Sequence, residues 1–181
     1  ISACLVGSEM CIRDRSNIMI TWNNLDTLTS FKELENVERV DLVKAMAGEN
    51  GAERVKNYSV PMAEGLTYNY AAKQVDDKVL AALAKLADEA QLTEKFEALY
   101  NGEVINTGEK RLVLHHMTRG QLGEAVEADG VDKRTFYTEQ QAKIADFANK
   151  VHAGEITNGA GEKFTTVVQI GIGGSDLGPR A

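Results

Sequence analysis

Apolar residues recur at three- and four-residue spacing through the middle of the chain. Val75, Val79, Leu83, Leu86 and Ala90 form one such stripe, with Asp76 and Asp77 where a first turn would lie, and predict an amphipathic helix. Leu92, Phe96 and Leu99 predict a second helix, and Phe136, Ile144, Phe147 and Val151 a third. Between them, "GEKRLVLHHMTRG" sets Leu112, Val113 and Leu114 ahead of two histidines. That run is too short for periodicity to separate helix from strand, and Gly120 and Gly123 punctuate its end. Asn158-Gly159 in "AGEITNGAGEK" is a turn signal. After it the period changes. Phe164 to Ile170 is β-branched and apolar with almost no alternation, as in a strand covered on both faces of a parallel sheet. The pattern predicts an α/β protein in which a mostly helical segment, 19–163, leads into an α/β domain that begins at 164–181 and is incomplete there.

The predicted strand runs straight into "GIGGSDLGPRA". Glycines 171, 173 and 174 let the backbone turn sharply and approach a ligand without a Cβ in the way. Ser175 or Asp176 is expected to cap the following helix, with Pro179 in its first turn. Strand, glycine loop and helix start together make a ligand-binding corner. A dinucleotide fingerprint counted from Gly171 fails at Asp176, where its last glycine belongs, and no Lys-Ser or Lys-Thr follows to make a Walker loop. A tight turn with no ligand stays open. Asp176 places a carboxylate in the field that would otherwise draw an anion, so the corner suits hydroxyl groups, contacted by backbone amides and Ser175 Oγ, better than a phosphate.

Charge and composition narrow the partners. A protein of 181 residues, 43% hydrophobic, is long enough to build a core; its net charge of -7 and pI near 5.1 disfavour nucleic acid and anionic lipid. No apolar run approaches the roughly 18 residues of a membrane helix, so neither nucleic acid nor membrane is an expected partner and a cytoplasmic location is expected. Cys4 and Cys11 are too few for a metal cage or disulfide framework, and no metal or cofactor is expected. They sit in "ISACLVGSEMCIRDR", which resembles translated sequencing-adapter DNA; a non-native leader is expected over 1–18, with Met19 as the natural start, against the alternative of a native leader. Adjacent residues on a helix point about 100 degrees apart, so His115 and His116 cannot form an i, i+4 metal pair, and packing or hydrogen bonding is their expected role. Arg111 and Arg119 are expected in structural pairs rather than lining a cleft, His152 as a cation near a helix C-terminus, and Glu103 and Glu109 as solvated carboxylates.

Two stretches carry a family resemblance. "IGIGGSDLGP", Ile170 to Pro179, resembles the corresponding segment of the glucose-6-phosphate isomerase family, and "EVINTGEKRLVLHHMTRG", Glu103 to Gly120, resembles that family's upstream helical segment. The resemblance spans roughly 19–181. It implies two sugar-isomerase (SIS) domains, each a doubly wound α/β/α sandwich preceded by helices, of which the sequence would hold a truncated N-terminal part. It implies interconversion of glucose 6-phosphate and fructose 6-phosphate by a homodimer without metal or organic cofactor. Gly174 and Ser175 match a pair that contacts the sugar portion of the sugar-phosphate substrate, while a downstream serine/threonine loop holds phosphate. The family's glutamate base and its ring-opening histidine and lysine match nothing up to Ala181. No catalytic residue is therefore assigned, and the 181 residues alone are expected to be inactive. A non-catalytic sugar-phosphate-binding module of the same fold, and a helical interaction domain whose terminal loop is only a turn, are the alternatives.

Overall fold

The computed structural model describes residues 18–120 and 125–181. The expected leader therefore lies, up to Asn17, outside the described residues, as do Cys4, Cys11 and Gly123. The polypeptide divides into two compact units between Leu99 and Tyr100.

In the first unit a short 3-10 turn, Leu25–Thr27, precedes α1 (Thr29–Glu35), α2 (Leu42–Ala45) and α3 (Gly48–Asn57). An antiparallel hairpin of β1 (Ser59–Pro61) and β2 (Thr67–Asn69) follows, in the register Val60 to Tyr68, and then α4 (Asp77–Glu89) and α5 (Leu92–Tyr100). The predicted stripe forms α4, and Asp76 is its N-cap, accepting from the Val79 amide at 2.9 Å. α4 packs against α1. Its buried line runs through Ala82 and Ala90, with Val79 and Leu86 half-buried, whereas Leu83 flanks the contact and is 38% exposed.

α1 begins without a cap of its own, because Leu28 at its N-cap has no side-chain acceptor. Glu89, at the end of α4, supplies one, accepting from the Ser30 amide at 2.8 Å and the Thr29 amide at 3.2 Å. Hydrogen bonds from Ser30 and from the Thr29 amide hold the Glu89 carboxyl below the usual carboxylate range. Arg54 of α3 is buried and donates from Nε to the Ala71 carbonyl at 2.7 Å. From Nη2 it reaches the Lys73 carbonyl at 2.9 Å and the Val75 carbonyl at 2.6 Å, while its guanidinium lies 4.4 Å from the centre of the Tyr58 ring. One residue thereby fastens the whole link between β2 and α4 onto α3. Gln91 joins α4 to α5 with φ of 54° and pins the start of the unit, accepting from the Thr21 amide at 2.9 Å and donating to the Met19 carbonyl at 3.0 Å.

The second unit contains a 3-10 turn at His115–Arg119, a two-residue hairpin of β3 (Glu127–Ala128) and β4 (Val131–Asp132), α6 (Lys133–Ala153) and α7 (Gly174–Arg180). Asp129 and Gly130 turn that hairpin with φ of 55° and 73°, the Asp-Gly pattern that a two-residue loop favours. The predicted third helix is α6, but its expected core stripe is largely uncovered: Ile144 is 68% exposed and Phe147 60%. Its ends hold it instead. The Asp132 carboxylate accepts from the Arg134 amide at 3.1 Å and the Thr135 hydroxyl at 2.7 Å, and Gly154 closes the C-terminus in the left-handed region at φ of 77°. The turn expected at Asn158-Gly159 is present, though the positive φ belongs to Gly161 and the Asn158 side chain organises it.

The strand expected over Phe164–Ile170 is not formed. The segment has no regular secondary structure and is exposed, with Val167 at 91% and Ile170 at 88%. A strand is defined by a neighbour that completes its ladder, and the described residues offer none beside it: the strands of each hairpin pair with one another. An unbroken apolar run records where a segment belongs, not whether its neighbours are present. Helices with antiparallel hairpins make this a mixed α/β structure, without a parallel sheet among the described residues.

Candidate functional site

The glycine corner is built by two glycines with different tasks. A Cβ on Gly171 would lie 2.7 Å from the Ser175 Cβ and 3.0 Å from its carbonyl oxygen, so the backbone folds back on itself more tightly than any larger residue allows. Gly173 has φ of 56° and ψ of -124°, a conformation open to glycine alone, and it is the N-cap of α7. Ser175 and Asp176 are therefore inside the first turn, not at its cap, and the helix start has no side-chain cap. Backbone geometry, with Asp176 N donating to Gly173 O at 3.1 Å and Leu177 N to the same oxygen at 2.9 Å, starts the helix. Once Gly173 has made the turn, neither the serine nor the aspartate is needed there.

Pro179 is also displaced from its expected place. It lies in the interior of α7, four residues after Ser175, and having no N–H it leaves the Ser175 carbonyl without its helical donor. Gln169 fills the gap, donating from Nε2 to Ser175 O at 3.1 Å. Nothing in the local pattern marks this glutamine, although a proline four residues beyond a loop serine is a signal that the serine carbonyl needs another partner. The Asp176 carboxylate pairs with Arg180 at 2.7 Å, which offsets part of the negative charge it brings to the helix start. Around Gly174 a Cβ would meet nothing within 4 Å, and the Ser175 hydroxyl makes no hydrogen bond among the described residues. Both expected contact residues thus present open surface, held from behind by Gly171, Gly173 and Gln169.

The other candidates lie elsewhere in the second unit. His116 is half-buried, stacks on Tyr100 with ring centres 4.6 Å apart, and donates from Nε2 to the Tyr100 carbonyl at 3.1 Å. Arg134 of α6 reaches the same carbonyl at 3.3 Å. Next to it Met117 is fully buried, so this segment is a packing knot, as expected for His116, while His115 is exposed. Arg111 lies 3.9 Å from Glu109 across a turn whose Asn106 and Arg111 backbones pair, with both side chains exposed. Arg119 and Glu103 are exposed, and His152 sits in the last turn of α6.

Comparison with known proteins gives the corner its context. The sequence profile of the family "Phosphoglucose isomerase" matches residues 69–181, more than half of the chain and all of the corner. A glucose-6-phosphate isomerase of Treponema denticola is 54% identical over 165 residues, covering 88% of this chain and 31% of the relative. That of Treponema pallidum (strain Nichols) is 45% identical over 166 residues, covering 90% and 31%. A crystal structure of a glucose-6-phosphate isomerase from Chlamydia trachomatis superposes with a TM-score of 0.59 at 27% identity, over 73% of this chain and 26% of that one. The chain thus spans about a third of the length of the curated relatives it matches. With its glycine corner inside the matched span, it belongs to the phosphoglucose isomerase family.

Proposed function

We propose that this chain is the N-terminal part of an aldose-ketose isomerase that interconverts glucose 6-phosphate and fructose 6-phosphate, and that Gly174 and Ser175 contact the sugar portion of the substrate. The observation that carries the reading is the corner itself, a segment inside the matched span in which Gly171, Gly173 and Gln169 leave a serine hydroxyl and an unobstructed glycine facing outward. Backbone amides and a hydroxyl suit sugar hydroxyls, to which they donate and from which they accept without a charge to balance. In this reading Phe164 to Ile170 becomes the first strand of a doubly wound SIS sandwich once the remaining strands of the enzyme flank it, and the exposed apolar side chains are its future core. The proton-transfer groups belong to the rest of the polypeptide, and the working form is a cytoplasmic homodimer without metal or organic cofactor.

The test is made in the full-length product of the gene. Ser175→Ala is expected to weaken sugar-phosphate binding by about 1–2 kcal/mol, the worth of one hydrogen bond, and to raise KM accordingly. Unchanged KM and kcat would remove Ser175 from the site. The 181 residues alone are expected to show no turnover in a coupled assay, since orientation without a positioned base moves no proton.

A further inference from the structure

The dipeptide Asn-Gly occurs three times, at Asn50-Gly51, Asn101-Gly102 and Asn158-Gly159. In such a pair the glycine amide nitrogen can attack the asparagine Cγ. A new C–N bond closes a succinimide, the bond from Cγ to Nδ2 breaks and ammonia leaves; water then opens the ring to aspartate or isoaspartate. No oxidant, metal or enzyme is required, and glycine favours the attack because no Cβ obstructs it. What the fold decides is whether the asparagine side chain is free to swing onto the next amide.

The three sites differ sharply. Asn50 is inside α3, where the helical ladder fixes the backbone, and Gly51 is buried against the Met46 carbonyl. Asn158 is latched by three bonds: its Oδ1 accepts from the Ala160 amide at 3.0 Å and the Glu162 amide at 2.8 Å, and its Nδ2 donates to the Glu162 carboxylate at 3.0 Å. Asn101 follows the end of α5, is exposed, and precedes a glycine with φ of 76°; no hydrogen bond holds its side chain among the described residues. We propose that Asn101 is the site at which this protein deamidates, and that Asn158 and Asn50 are protected by their turn and helix.

The position gives the modification leverage. Isoaspartate adds a carbon to the main chain between 101 and 102, and Gly102 already presses on the Val126 side chain so closely that no Cβ fits. One residue upstream, the Tyr100 carbonyl receives both His116 and Arg134. A lengthened backbone at 101 displaces that carbonyl and loosens the knot that ties the 3-10 turn to α6.

Peptide mapping of the 181-residue protein after incubation in warm, mildly alkaline buffer, with and without urea, tests this. Conversion at Asn101 is expected to run several-fold ahead of Asn158 and Asn50 in native buffer, with the three rates converging in urea. Glu162→Ala is expected to raise the native rate at Asn158 several-fold, because its latch loses the acceptor. Equal native rates, or a lead by Asn50 or Asn158, would overturn the proposal. So would a lead by Asn101 that persists unchanged in urea, which would trace to neighbouring sequence and not to the fold.

Discussion

Arg54 shows how much one residue can organise. Its planar guanidinium serves three carbonyls outside any helix or hairpin; that of Lys73 also accepts from the Val75 amide, and leaving the buried Ala71 carbonyl without its arginine donor is costly. Arg54→Met keeps the apolar stem and loses the fork. It is expected to destabilise the first unit by about 3 kcal/mol, on the scale of hydrogen bonds to a charged donor. Arg54→Lys is expected to recover less than half of this, because a compact ammonium cannot span the Ala71 and Val75 carbonyls together. Urea unfolding followed by circular dichroism checks both; full recovery by lysine would show that charge, not the planar fork, is what matters.

Between helices the corresponding device is Glu89, which makes α1 depend on α4. Its carboxyl titrates below the usual range in the folded protein, so in acid the unfolded form takes up the proton first. The cap is therefore fully effective above the ordinary carboxylate range and is lost as pH falls through the depressed folded value. Helical ellipticity is expected to decline over that acid window in the native protein and to be flatter there in Glu89→Gln; coincident titrations would remove Glu89 as the cause. This cap also explains what could be read from the sequence at this scale. α4, α5 and α6 carry their own periodicity, and α4 its own cap at Asp76, so they were legible. α1 was not, because its cap lies 59 positions away in the sequence. The hairpins have strands of two or three residues, too short to display alternation, and the Asp129-Gly130 turn signal between β3 and β4 went unread. In the corner the glycines were legible and their division of labour was not: Gly173, rather than Ser175 or Asp176, caps α7, since only the backbone angles reveal it.

For the molecule as a whole, the buried apolar residues among those described are mainly alanines, with Met117 and Val126, while large side chains of the segment 164–172 face solvent. An exposed, uncharged β-branched run is an aggregation template. Val168→Lys is expected to raise the solubility of the 181-residue protein without changing its thermal unfolding, because the valine is already 77% exposed. In the full-length protein the same substitution is expected to abolish soluble expression, because there the strand is proposed to be covered on both faces. Equal tolerance in both settings would count against that strand. The bond from Gln169 to the Ser175 carbonyl gives this contrast a dimension in time. It closes a ring of only six positions along the sequence, so the corner forms without waiting for any distant strand, and ring closure over so short a span is among the fastest events in folding. A sheet assembling around Phe164 to Ile170 would then find the glycine corner already shaped, serving as a nucleus and not as the last piece to settle. In refolding kinetics of the full-length protein, Gln169→Ala is expected to slow folding and leave unfolding nearly untouched, a φ-value of about 1, whereas accelerated unfolding with an unchanged folding rate would place the corner late on the pathway.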